Sequence, residues 1–82
     1  MDNASHNSTA MKLVYKANQI AAFYRTQSEE ERVEGVANHI NLFWEQRMRR
    51  QFFELLQQPD HGFDPLVVEA AKLVRKPGPV PA

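Results

Sequence analysis

The sequence predicts an all-α fold, a small bundle of four helices. Apolar residues recur at three- and four-residue intervals through most of the chain, which is helical spacing. No run alternates with the period of two that marks a strand. Five prolines and three glycines fall mostly near the ends or in one short connector, leaving long segments without helix breakers. The expected helices cover residues 9–25, 28–45, 47–57 and 64–75. They form one helical domain over residues 9–76, with a disordered leader at 1–8 and a proline-rich tail at 77–82.

The first helix follows a polar leader, with Ser8 or Thr9 placed to accept a hydrogen bond from an orphan amide of its first turn. Leu13, Ala17, Ile20, Ala21 and Tyr24 define its buried stripe. Tyr15 points to the far side and Phe23 lies off the stripe, so both are apolar surface that one buried face does not use. The second helix opens at Ser28-Glu29-Glu30-Glu31, where Ser28 and Glu31 have capping-box spacing and the carboxylates complement the helix dipole. Its stripe is Val33, Val36, Ala37, Ile40, Phe43 and Trp44. Gly35 sits inside it at a cost of roughly 1 kcal/mol relative to alanine, which a close helix–helix approach would offset.

The second stripe cannot continue beyond Glu45. At about 100° per residue, Arg47 would fall near the middle of the apolar face and Phe53 would point away from it. Restarting at Met48 puts Met48, Phe52, Leu55 and Leu56 on one face, with Arg49, Arg50 and Glu54 outside. A turn or sharp kink is therefore expected at Glu45-Gln46. Residues 57–62 form a connector with proline and glycine and no apolar residue. Asp64 and Pro65 then have the N-cap and first-position pattern of a last helix. Its apolar side is Leu66, Val67, Ala70, Leu73 and Val74, with Phe63 as a staple onto Val68. Lys72, Arg75 and Lys76 near its end suit the dipole.

A chain of 82 residues has room for one small domain, and 43% hydrophobic residues suffice for a helical core with some apolar side chains to spare. The absence of cysteine rules out disulfides, thiolate metal sites and a cysteine nucleophile. A net charge of zero supplies no global field toward nucleic acid or an anionic membrane. The apolar clusters are far shorter than a membrane span, and the leader lacks the basic start and apolar stretch of a signal peptide. A cytoplasmic location is expected.

No constellation with catalytic spacing is present. His6, His39 and His61 match no metal-ligand pattern, so His39 reads as a packed or edge residue and His61 as a solvated one. Glu29, Glu30, Glu31 and Glu34 read as a capped, solvated helix start. Ser5, Ser8 and Ser28 stand in leader or cap positions, and no glycine-rich phosphate loop occurs. No catalytic, cofactor or metal site is assigned. Arg47, Arg49 and Arg50 are the one basic cluster, open to three readings. They could contact phosphates from a helix-turn-helix arrangement. They could be solvated charge with some internal pairing, such as Arg50 to Glu54. Beside Trp44 and Met48 they also have the composition of a protein interface. Leu42 and Phe53, projecting off their stripes, add weight to the interface. The candidate partner-binding residues are therefore Trp44, Arg47, Met48, Arg49, Arg50, Phe53, Leu42, Phe23 and Tyr15.

Three segments carry a resemblance: residues 17–25 (Ala-Asn-Gln-Ile-Ala-Ala-Phe-Tyr-Arg), residues 39–44 (His-Ile-Asn-Leu-Phe-Trp) with Arg47-Met48-Arg49, and Asp64-Pro65-Leu66-Val67. Together they resemble the delta subunit of NAD-dependent formate dehydrogenase, from about Lys12 to Arg75, and Phe-Trp-x-x-Arg-Met-Arg is the most distinctive part. The resemblance implies a cofactor-free, non-catalytic partner of bacterial molybdenum or tungsten formate dehydrogenases. The large subunits of those enzymes carry the molybdopterin, iron–sulfur and flavin centres. It implies an accessory subunit that binds and stabilises that complex or assists its assembly and cofactor loading. Many relatives carry proline where this chain has Gln46, which supports a turn there, while the absence of that proline here leaves a more continuous helix open. The other reading left standing is a small helix-turn-helix-like nucleic-acid-binding regulator. Homodimerisation through the spare aromatics is left open.

Overall fold

The structure, a computed structural model, describes residues 2–78, with side chains from Thr9 onward; Met1 and residues 79–82 of the expected tail lie outside the described residues. Four helices follow in order: α1 (Asp2–Tyr24), α2 (Glu29–Phe43), α3 (Gln46–Leu56) and α4 (Pro65–Ala71). Among the described residues there is no strand. α2 packs most extensively on α4 and next on α1, which makes it the centre of the bundle.

The bounds of α1 reach back through the expected leader, so Ser8 and Thr9 lie within the helix rather than at its cap. The leader holds neither proline nor glycine, the two strongest helix breakers. Leu13, Ala17 and Ala21 are buried and Ile20 and Tyr24 partly so, as the stripe predicts. Ser28 caps α2 with an extended backbone, and its hydroxyl accepts from the Glu31 amide at 3.4 Å. Val36, Ala37 and Ile40 are fully covered. The small residues of α1 and α2 bring the helices close, and the Tyr24 ring lies directly over Gly35.

The chain turns at Trp44 and Glu45, just ahead of the expected place. Both have extended backbones, with ψ of 125° and 162°. Of the two adjacent aromatics there, only Trp44 enters the core, its indole edge-on to Phe52 with ring centroids 5.7 Å apart. Phe43, expected in the stripe, is 69% exposed, because α2 ends at it and the turn gives the inward place to its neighbour. Phe52 is the hub of the core, meeting Trp44, Phe53 at 5.3 Å and Phe63 at 5.2 Å. Phe63 is thus buried under Phe52, while Val68, its expected staple partner, is exposed.

Asp64 caps α4 through its carboxylate, which accepts from the Leu66 amide at 2.8 Å, and Pro65 takes the first position. α4 ends at Ala71 rather than 75. The following amides of Leu73 and Val74 bond three residues back, to Ala70 and Ala71, which tightens the chain out of the α-helix. Leu73 is therefore 52% exposed although the stripe placed it inside, whereas Val74 remains buried. Arg75 and Lys76 lie beyond the helix, while Lys72 at its end pairs with Glu69 at 3.1 Å.

Candidate functional site

The basic cluster is divided by the fold. Arg49, half-buried, donates to the Trp44 carbonyl at 3.3 Å and to the Arg75 carbonyl at 2.7 Å. Arg50 reaches the Gly78 carbonyl at 3.4 Å instead of pairing with Glu54. Both therefore hold the segment after α4 against α3. Arg47 alone stays exposed, on the rim of a polar groove with Met48, Arg50, Gln51 and Glu54.

Two asparagines that no sequence signal singled out hold the ends of α4. Asn18 on α1 donates to the Gly62 carbonyl at 3.0 Å and accepts from the Asp64 amide at 2.8 Å. Asn41 on α2 donates to the Leu73 carbonyl at 3.2 Å and accepts from the Arg75 amide at 2.8 Å. Arg25 pairs with Asp64 beside the first. An amide side chain offers donor and acceptor together, so it bridges a carbonyl and a following N–H that a helix end leaves open. Both asparagines fall within the segments that carry the resemblance.

The remaining predicted positions separate into core and surface. Trp44 is 6% exposed, Met48 is partly buried, and Phe53 packs on Phe52, so these three serve the core first. Phe23 and Leu42 are exposed at 69% and 74%, and Tyr15 also lies outside. Met11, Phe43 and Leu73 add exposed apolar surface that the stripes had assigned to the interior or passed over.

Two apolar grooves result. The first, about 450 Å³, runs between α1 and α2 and is lined by Lys16, Gln19, Ile20, Phe23, Tyr24, His39 and Trp44. Phe23 meets Tyr24 edge-on at 5.0 Å, and Phe43, itself outside the lining, stacks obliquely on His39 at 4.8 Å, which sets a second exposed ring beside the groove. The second, about 420 Å³, includes Met11, Val14, Tyr15, Leu55, Asp60 and His61. His61, expected to be solvated, is half-buried and accepts from the Phe63 amide at 3.0 Å. Among the described residues no three His, Asp or Glu side chains come together as metal ligands. Nor is any helix among them long and apolar enough to cross a membrane.

A family model described as the NADH-dependent formate dehydrogenase delta subunit, FdsD, matches residues 12–71. That span runs from α1 to the last residue of α4 and contains Asn18, Arg25, Asn41, Arg49 and Asp64. None of the curated proteins and none of the solved structures matches the chain.

Proposed function

The chain belongs to the NADH-dependent formate dehydrogenase delta subunit family, and on that premise we propose that it is a non-catalytic accessory subunit. It binds the large formate dehydrogenase subunits and stabilises the complex or assists its assembly and cofactor loading. The observation that carries this reading is the set of exposed aromatic and aliphatic side chains on a small bundle that has a separate buried core. Phe23, Leu42 and Phe43 leave large apolar areas in water, which a partner would cover. The division of the arginines gives the nucleic-acid reading little support, because two of the three bind carbonyls of their own chain.

The experiment is affinity purification of the tagged chain from cells that make the formate dehydrogenase subunits. Recovery of a large subunit is expected. A fixed ratio marks a resident subunit, and a substoichiometric trace that disappears after maturation marks an assembly factor. Recovery of the chain with no formate dehydrogenase subunit at any stage overturns the proposal.

A further inference from the structure

We propose that the groove between α1 and α2 is the docking site, and that its occupant is an amphipathic helix of a formate dehydrogenase subunit. That helix presents apolar side chains to Phe23, Phe43 and the edge of Trp44, and a carboxylate to Lys16. The proposal rests on the accessory-subunit reading and adds the surface and the chemistry of the contact.

Shape points to a helix. The groove lies between two helices, so a third laid into it continues the packing of the bundle. Along α1, Lys16 and Phe23 are separated by about 10 Å at 1.5 Å per residue, the length of two helical turns. Its floor is also firm. Trp44 is held by Phe52 beneath it, and Tyr24 is wedged against Gly35, so the anchors are fixed before a partner arrives.

Charge selects the occupant. No carboxylate lines this groove, and Lys16 is the one lysine or arginine in its lining. The ion pairs of the described residues are Arg25–Asp64 and Lys72–Glu69, so the Lys16 ammonium is uncommitted. Lys12, exposed one turn earlier on α1, repeats the positive charge. A second copy of the chain, paired about a twofold axis through the groove, would bring these lysines toward one another with no acid between them. An acidic, apolar helix satisfies both halves of the surface. The second apolar groove already has Asp60 on its rim and lacks this complementarity.

The test uses the full chain and the purified large subunits, with binding measured by interferometry at two salt concentrations. Wild-type binding tests the accessory reading itself; its absence sinks that reading and leaves the groove without an occupant. Given wild-type binding, Phe23→Ser with Phe43→Ser is expected to weaken it by about tenfold or more. Both rings are exposed, so circular dichroism should report unchanged helix content. Lys16→Glu is expected to weaken binding and to reverse its salt dependence. Met11→Ser, in the other groove, is expected to bind as wild type. Unchanged affinity of the Phe23/Phe43 variant, or loss confined to the Met11 variant, overturns the proposal. So does a wild-type dimer that only the Phe23/Phe43 variant dissolves, or binding to anionic vesicles that replaces binding to the subunits.

Discussion

Gly35 illustrates how one missing Cβ decides a helix–helix contact. A Cβ built there would stand 2.5 Å from Tyr24 Cε1 and 3.0 Å from its Cγ. The Cγ is close to the backbone of Tyr24, so a small side-chain swing does not relieve the clash. Two effects oppose each other in Gly35→Ala. Alanine favours the helix by about 1 kcal/mol. Overpacking costs about 1–3 kcal/mol. The second is expected to win, giving a net loss of up to about 2 kcal/mol, read as a lower urea midpoint. A raised midpoint would mean that Tyr24 moves aside freely. The sequence marked Gly35 as a place of close approach, but not the ring that occupies the space, because Tyr24 lies in another helix.

At the scale of elements, the α2–α3 turn and the short α4 are held by different means. The turn is local. Glu45 has φ of −64° and ψ of 162°, the conformation that a following proline favours, and Gln46 is the first residue of α3. Gln46→Pro is therefore expected to stabilise the protein by about 0.5–1 kcal/mol, by limiting the unfolded chain without removing a helical hydrogen bond. A fall in melting temperature would show that the Gln46 amide has a role the turn geometry does not reveal. α4, with seven residues, is too short to persist alone and depends on its clamps. Asn41→Ala loses two bonds and is expected to cost about 1–2 kcal/mol, since water reaches the groups left behind. Arg25→Ala breaks an exposed ion pair and should cost less than about 1 kcal/mol. Asn41→Asp keeps the acceptor for the Arg75 amide and should fall between them. Thermal unfolding of the three variants checks the order, and a larger loss for Arg25→Ala would refute it.

Across the whole molecule, one core centred on Phe52 joins α3 to the turn and to the connector, while α2 joins α1 to α4. The residues that resemble the family then sort by task. Asn18, Arg25, Asn41, Arg49 and Asp64 tie the elements together, and Phe23, Leu42 and Phe43 remain on the outside. Helix number, the turn, the Ser28 and Asp64 caps and most of the inner stripe were determined by the sequence alone. Each depends on contacts within a few residues, and spacing and cap chemistry record such contacts. Which of Phe43 and Trp44 turns inward, where α4 stops, and what Arg49 and Arg50 bind were decided by tertiary structure. Those outcomes depend on carbonyls and rings brought together from distant parts of the chain. The basic cluster near the turn looked like a free surface for that reason: its partners, the carbonyls of Arg75 and Gly78, lie 26 and 28 residues further on.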